Sequence, residues 1–252
     1  MIKHVLVVGS GNVAAFFLSV FSKSGLRLSN SSRNDTNTLA RQYHAEFVSQ
    51  QDLTNFKNVD LVILAVSDDA IELAAIPFYN SKAIVVHTSG ATSIQVLAHA
   101  GIKNSGVVYP LQSISAHSLP AINQVPLMLE TQEESVKVLF EKLGFEVHLV
   151  NSLERLKYHL AAVLVNNFSN HLFDIADEFL KTNQLSFNYL KPLIHQTVNK
   201  IDQLSPNQAQ TGPALRNDSK TIQKHMDLIK ENPQIMAIYT LFTNSIQNKI
   251  KI

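Results

Sequence analysis

A glycine-rich turn near the start of the sequence constrains the fold more than any other feature. Residues 5–8 read Val-Leu-Val-Val, and residues 9–14 follow them with Gly-Ser-Gly-Asn-Val-Ala. A helical pattern over residues 13–23 comes next, and a second apolar run begins at residue 26. In a turn of this kind the first glycine permits the sharp bend, the second lets the backbone approach a pyrophosphate, and the small last residue lets the helix pack on the strand. Strand, turn and helix together predict the start of a dinucleotide-binding α/β domain.

Short β-branched runs alternate with helical stretches from residue 1 to about residue 150. We predict strands over residues 5–8, 26–29, 61–66, 83–87, 106–109, 127–129 and 146–150. The run at 61–66 is apolar throughout, which is typical of a strand covered on both faces of a parallel sheet. This alternation predicts βαβ units with right-handed crossovers.

From about residue 151 helical spacing replaces the strand patterns. Helices are predicted over residues 152–181, over 186–204, after Asp218 or Ser219, and from 234 to about 249. Pro192 requires a kink or a break near the start of the second helix, and Pro233 suits the first position of the last one. The chain is therefore predicted to contain an α/β domain, residues 1–150, and an all-helical domain, residues 151–252.

The composition excludes several classes of protein. The 252 residues are 45% hydrophobic with a formal charge of +1, so the charge predicts no nucleic-acid or membrane surface. The chain has no cysteine, and its histidines lack metal-ligand spacing with carboxylates, so we predict no metal site. No window approaches the roughly 18 apolar residues that span a bilayer. The first residues lack a signal peptide's apolar core, and we expect a cytoplasmic protein.

The end of the second predicted strand favours NADP over NAD. An NAD site has a carboxylate about 20 residues after the glycines, which binds the ribose 2′-hydroxyl. Residues 30–33 read Asn-Ser-Ser-Arg, and the next carboxylate is Asp35. Ser32 and Arg33 suit a 2′-phosphate, which a guanidinium binds bidentately. The missing acid also argues against S-adenosylmethionine. Alternatively, Arg33 is an ordinary exposed charge.

Two further strand ends are expected at the same crevice, because ligands bind outside the carboxyl ends of parallel strands. Their backbones and hydroxyls can contact the ribose or nicotinamide, although Ser67 and Ser89 can equally cap the helices that follow. The predicted cofactor-binding residues are Gly9, Ser10, Gly11, Asn12, Val13, Ser32, Arg33, Val66, Ser67, Thr88 and Ser89.

Candidates for chemistry lie mainly in the C-terminal half. Asn166 and Asn170 follow His159 by 7 and 11 residues, offsets that place all three on one face of an α-helix. Histidine is a natural proton donor near neutral pH. The alternative is a structural histidine, with asparagines that bond to neighbouring helices.

Two other side chains can reach the same cleft. Arg216 follows a rigid Gly-Pro bend at 212–213 and can hold a substrate carboxylate or form a salt bridge, for example with Asp218. Tyr109 ends a predicted strand, and its phenol can face the cleft or pack in a core or a dimer contact. We predict His159, Asn166 and Arg216 as the catalytic residues.

The ordered set of motifs resembles a bacterial family that pairs a Rossmann-like domain with a helical C-terminal domain of unknown function. Its members are usually described as NADP-dependent oxidoreductases. The resemblance covers nearly the whole chain. Its most specific parts are residues 158–162, Tyr-His-Leu-Ala-Ala, with the Asn pair at 166–167, and residues 212–218, Gly-Pro-Ala-Leu-Arg-Asn-Asp. More distantly the chain is similar to pyrroline-5-carboxylate reductase, ketopantoate reductase, deazaflavin-dependent NADP reductases and β-hydroxyacid dehydrogenases.

This resemblance implies an α/β fold with an N-terminal Rossmann-like, mostly parallel sheet and an all-α C-terminal domain of the 6-phosphogluconate dehydrogenase type. It implies NADP binding by residues 1–150, and substrate binding and dimerisation by residues 151–252, with a homodimer formed through the helical domain. The implied activity is hydride transfer to or from a small, carboxylate-bearing substrate at a C=O or C=N bond.

The chain departs from its relatives at three positions. Val163 takes the place of the catalytic lysine of β-hydroxyacid dehydrogenases when the Asn pairs are matched. Tyr109 stands where the family generally has a histidine, and Asn217 replaces a usual glycine. The missing lysine leaves an alternative function, an NADP-binding protein that transfers no hydride and acts as a sensor or a partner-binding dimer.

Overall fold

The computed structural model describes residues 1–33, 37–56, 58–115 and 118–249. The chain divides into two compact units, Met1–Asn167 and a second unit that begins at Phe168. The sequence pattern instead suggested a boundary after residue 150. Helix α6, which begins at Ser152, belongs to the first unit, where its residue Arg155 is fully buried.

The first unit contains an eight-stranded sheet in the order β3-β2-β1-β4-β5-β6-β7-β8. Its strands are β1 His4–Val8, β2 Arg27–Ser31, β3 Glu46–Phe47, β4 Leu61–Leu64, β5 Ile84–His87, β6 Ser105–Pro110, β7 Leu127–Thr131 and β8 Val147–Leu149. Neighbouring strands are parallel except β6 and β7, which pair antiparallel with Val108 opposite Leu129. The predicted Rossmann-like, mostly parallel sheet is confirmed.

Helices cover the sheet and make up the second unit. The α-helices are α1 Asn12–Phe21, α2 Thr38–Gln42, α3 Ile71–Ala75, α4 Gln95–His99, α5 Glu134–Lys142, α6 Ser152–Ala162, α7 Ser169–Thr182, α8 Lys191–Lys200, α9 Ser219–Leu228 and α10 Pro233–Lys249. A π-helical segment, Val163–Phe168, lies between α6 and α7. Single 3-10 turns occur at Leu53–Asn55, Asp68–Ala70, Ile76–Phe78, Ile122–Gln124 and Phe187–Leu190. Within the described ranges, no helix is long and apolar enough to span a membrane.

Both faces of the sheet are buried, as the uninterrupted apolar runs predict. Successive side chains of a strand point to opposite faces, so Val5 and Val7 of β1 join one hydrophobic cluster while Leu6 and Val8 join the other. On the first face, rings from α1 and α5 pack edge to face, with the centroids of Phe17 and Phe140 6.0 Å apart. This two-sided core holds the carboxyl ends of the strands at one edge of the sheet.

The helix-start signals of the C-terminal half are confirmed. The carboxylate of Asp218 caps α9 by accepting the backbone N–H of Thr221 at 3.1 Å. The side chain of Asn232 accepts the N–H of Ile235 at 3.0 Å, and Pro233 opens α10. Pro192 lies in the first turn of α8, where its missing N–H costs no helical hydrogen bond.

Candidate functional site

A cavity of about 520 Å³ lies at the carboxyl ends of the central strands. It is lined by Gly9, Ser10, Gly11, Asn12, Val13, Arg33, Ala65, Val66, Ser67, Thr88 and Ile114. All predicted cofactor residues except Ser32 and Ser89 are therefore brought together. The amide of Asn12 donates to the carbonyl of Ile114 at 3.1 Å, so the segment after β6 closes one side of the cavity.

The two glycines of the turn are required for different reasons. Gly9 has φ +142°, and a Cβ there would overlap the carbonyl oxygen of Ala65, so the chain itself needs glycine at this position. Gly11 has φ −85° and ψ −175°, which any residue adopts, and a Cβ there would meet no atom of the described residues within 4 Å. Gly11 also precedes α1, whose first N–H groups have no side-chain cap. The second glycine therefore faces open space beside a helix N-terminus, the arrangement that suits a phosphate group.

The polar end of β2 is buried rather than open to the cavity. Ser32 is 1% exposed and does not line the cavity, whereas Arg33 is exposed and does. The amide of the buried Asn30 donates to the carbonyls of Val7 and Gly9 at 2.9 and 3.0 Å, which holds the glycine turn on the sheet. Asp35, the first carboxylate after the strand, lies outside the described residues.

Ser89 acts as a turn cap in this structure. Its hydroxyl accepts the backbone N–H groups of Ala91 and Thr92 at 3.1 and 2.9 Å, and the residue is 9% exposed. Its neighbour Thr88 lines the cavity. Ser67 precedes the 3-10 turn Asp68–Ala70 but makes no side-chain cap hydrogen bond there.

Next to this turn, His159 of α6 pairs with Tyr109 of β6. The Tyr109 hydroxyl lies 3.1 Å from His159 Nδ1, and the two rings meet edge to face. The backbone of Gly90 packs so closely on the pair that a Cβ would lie 2.6 Å from Nδ1 and 2.8 Å from Tyr109 Cζ. Gly90, which packs against the predicted catalytic histidine, is two residues from Thr88 of the cavity wall.

A buried guanidinium organises this corner of the sheet. Arg155 is 0% exposed and donates to the carbonyls of Ser89 and Gly90 at 2.8 and 3.1 Å. Its other terminal nitrogen lies 3.0 Å from Glu130 Oε2, and Glu130 also accepts the hydroxyl hydrogen of Ser152. Sequence reasoning missed Arg155 and Glu130, because no local pattern connects residues that are 25 positions apart.

His87, at the end of β5, is held neutral in this environment. Burial, and secondarily the positive charge of Arg155, lower the pKa of His87 from 6.5 to about 4. Its Nδ1 accepts the backbone N–H of Ser89 at 3.2 Å, so the imidazole supports the same turn.

The other predicted catalytic residues are exposed. Asn166 lies in the π-helical segment, where the regular α-helical spacing from His159 is interrupted. Arg216 lies in the second unit, and no carboxylate in the described residues is within ion-pair distance of it. Asp218 caps helix α9. Its hydrogen bonds with Thr221, and to a smaller extent the positive charge of Arg216, lower the pKa of its carboxyl. Asn217 has φ +53°, the left-handed conformation, which asparagine adopts more readily than most residues.

Groups of three or more side chains that could hold a metal ion are absent from the described part of the chain.

Comparisons with known proteins agree with this architecture. Residues 125–246 match the model of a family described as "Domain of unknown function (DUF2520)". A "putative NADP oxidoreductase" of Bacteroides fragilis is 28% identical, with a TM-score of 0.86 and 98% of each chain covered. A Thermotoga maritima protein is 22% identical, with a TM-score of 0.74 and 97% of each chain covered. No curated protein sequence matches the chain. The resemblance to a family with a Rossmann-like and a helical domain of unknown function is confirmed.

One more distant likeness shows the fold alone. The imine reductase of Myxococcus stipitatus, solved with NADP⁺, is 14% identical with a TM-score of 0.68, and the alignment covers 98% of this chain and 94% of the reductase.

We expect His87 to make stability depend on pH between 6.5 and 4. In this window the unfolded chain protonates this imidazole and the folded protein does not, so the free energy of unfolding falls as the pH falls. His87→Asn keeps an acceptor for the Ser89 N–H and removes the titration. We expect the slope of unfolding free energy against pH to decrease by up to about 1.4 kcal/mol per pH unit, measured by urea denaturation.

The exposed His99 offers a matched control, since His99→Asn removes an imidazole from the neighbouring helix α4. That variant should keep the wild-type slope. An unchanged slope in His87→Asn would contradict a neutral, buried His87.

Proposed function

We propose that this protein is an NADP(H)-dependent oxidoreductase that transfers hydride to or from a small, carboxylate-bearing substrate at a C=O or C=N bond. The observation that carries the proposal is Gly11, a glycine that neither its backbone conformation nor any neighbouring atom of the described residues requires. It faces the cavity at the uncapped N-terminus of α1, as expected of a site that a pyrophosphate approaches. The names of the Bacteroides and Myxococcus proteins, an NADP oxidoreductase and an imine reductase, support the same class.

The residues of the cavity fit a dinucleotide that carries a 2′-phosphate. The N–H groups at the start of α1 suit the pyrophosphate. Arg33 is exposed at the cavity wall, and a guanidinium in that position can bind a phosphate bidentately. Val66, Ser67 and Thr88 border the remainder of the cavity. When bound, the cofactor would supply the hydride that the protein's own side chains cannot.

The protein must orient the substrate and supply a proton. We assign the proton to His159, because its ring lies against Gly90, next to the cofactor cavity. In the reducing direction hydride from the bound cofactor would add to the carbon, and the electron pair of the double bond would move to oxygen or nitrogen. That atom would take the Nε2 proton of His159 while Nδ1 takes the hydroxyl proton of Tyr109, which water then replaces. Asn166 would orient the substrate, and Arg216 would hold its carboxylate.

We further propose a homodimer that forms through the helical unit. Half of the large apolar side chains that are exposed in the described residues lie in the second unit, here called the helical unit, among them Phe173, Leu204 and Leu228. From residue 168 to 249, the buried apolar side chains are Ala214, Ile222 and Ile229. Helices with so little buried apolar surface need a further apolar layer. A second copy is the occupant that the family resemblance implies.

We expect Gly11→Ala to lose NADPH binding without losing stability. Its backbone conformation tolerates alanine, but the new methyl group would project toward the pyrophosphate site. NADPH at about 100 times its Kd should stabilise the wild type by roughly 2.7 kcal/mol in a thermal-shift titration, and Gly11→Ala should show little of this. Gly9→Ala should instead be destabilised before any ligand is added.

Titrations with NADH and S-adenosylmethionine complete this experiment. An equal response to NADH would contradict the role of Arg33, and no response to any of the three would contradict dinucleotide binding.

The assigned chemistry predicts a separation of binding from turnover. His159→Ala and Arg216→Ala should bind NADPH as the wild type does. With a keto acid or a cyclic imino acid that the wild type reduces, His159→Ala should lose at least about 100-fold in kcat, the usual contribution of a positioned acid. Arg216→Ala should mainly raise KM. NADPH binding without turnover of any such substrate would favour the non-catalytic sensor.

The dimer predicts that Leu228→Lys shifts the protein toward a monomer in light scattering. Leu228 is 72% exposed in the helical unit, and Leu73 is 72% exposed in the α/β unit, so Leu73→Lys is the matched control. Leu73→Lys should keep the wild-type mass. A wild type that remains monomeric at all measured concentrations would contradict the dimer.

A further inference from the structure

The His159 ring is held on one side only. Nδ1 lies 3.1 Å from the Tyr109 hydroxyl, and Gly90 packs against the same side of the ring. Nε2, across the ring, has no recorded partner among the described residues, and His159 is half-buried. The protein therefore fixes one nitrogen and leaves the other available to a ligand.

The fixed side is itself built on rigid elements. Tyr109 lies in β6, between β5 and the antiparallel β7, where it pairs with Met128. Gly90 is held through its carbonyl by the buried Arg155, which belongs to the same helix as His159. A side chain supported by strand, helix and a buried ion pair keeps its geometry better than one on a loop.

Hydrogen bonding decides which nitrogen carries the proton. A neutral imidazole donates through one nitrogen and accepts through the other. If Nδ1 were protonated, it would donate to the Tyr109 oxygen, and the hydrogen of this half-buried hydroxyl would have only water as an acceptor among the described residues and solvent. If the hydroxyl donates to Nδ1, both groups are satisfied.

The phenol can play the donor role at neutral pH. Burial raises the pKa of Tyr109 above its ordinary value, and Arg155 offsets only part of this effect. The hydroxyl therefore keeps its hydrogen, and Nδ1 accepts it.

We propose that Tyr109 is a positioning residue, which directs the imidazole proton of His159 to Nε2, where it is available to the heteroatom of the substrate's double bond. This inference rests on the proposed function and narrows its substrate. A carbonyl oxygen or an unprotonated imine nitrogen has a lone pair to accept that N–H, whereas a protonated iminium has none. The substrate class is therefore one that needs a hydrogen-bond donor at its heteroatom.

Side-chain ¹⁵N NMR of the full chain, without cofactor, tests the tautomer directly. Protonated and unprotonated ring nitrogens differ widely in chemical shift, and loss of a signal in His159→Gln assigns the residue. At neutral pH we expect the wild type to carry its proton on Nε2 and to have an unprotonated Nδ1.

Tyr109→Phe keeps the ring and removes only the hydroxyl, so we expect both tautomers of His159 to become populated. A matched control exists in the helical unit, where His225 Nδ1 lies 2.9 Å from the Tyr239 hydroxyl. Tyr239→Phe removes an equivalent hydrogen bond and should leave the His159 signals unchanged. Gly90→Ala, which forces the Nδ1 side of the ring to move, should disturb the tautomer as Tyr109→Phe does.

Two results would overturn the inference: a wild-type His159 with its proton on Nδ1, or a Tyr109→Phe protein with the wild-type tautomer.

Once a substrate is known, Tyr109→Phe should lower kcat about tenfold, which is the loss expected when one hydrogen bond is removed, and should leave the affinity for NADPH unchanged. The spectra need no cofactor, so a failure to bind NADPH would refute the proposed function and leave the tautomer result standing. NADPH binding with the wrong tautomer would refute this inference alone.

Discussion

One buried guanidinium holds the predicted catalytic corner together. Arg155 donates to carbonyls that precede it by 66 and 65 residues and to Glu130, 25 residues before it. Removing such a cation from water costs several kcal/mol, and the cost is offset only while a carboxylate and carbonyls remain within hydrogen-bond distance. This one side chain therefore connects the turn after β5, strand β7 and helix α6. The same charge helps to keep His87 neutral beneath the turn.

The order of strands and helices could be predicted because apolar periodicity is a local property. Polar strand residues were harder to predict. The second strand was expected to end at Ser29 but continues to Ser31, because His4 satisfies the Ser29 hydroxyl and the amide of Asn30 bonds to neighbouring carbonyls. Strand β3 has only two residues and exists through its pairing with β2, so no pattern of its own predicted it.

The candidate site was predictable where chemistry follows a motif and not where it depends on distant contacts. The glycine turn and Arg33 line one cavity, as expected from the strand ends. Ser32 and Ser89 are predicted as cofactor-binding residues because they carry hydroxyls. Residue type alone does not show that Ser32 is buried or that Ser89 caps a turn. The sequence allows Tyr109 to face a cleft or to pack in a core or a dimer contact. Only the distance of 3.1 Å between its hydroxyl and His159 Nδ1 distinguishes these positions. The spacing from His159 to Asn166 assumes an uninterrupted α-helix, and the π-helical segment that contains Asn166 could not be predicted from the apolar periodicity.

Three glycines lie at this edge of the sheet, and the packing of the protein explains two of them but not the third. Gly9 is fixed by its positive φ and by the backbone of Ala65, and Gly90 by the rings of His159 and Tyr109. Both would be glycine in a protein that bound nothing. Gly11 has an ordinary conformation and open space where a side chain would be, so no contact with the described residues explains it. A glycine that its own protein does not need is best explained by another molecule, and this one lies at the uncapped start of α1, where an anion is stabilised.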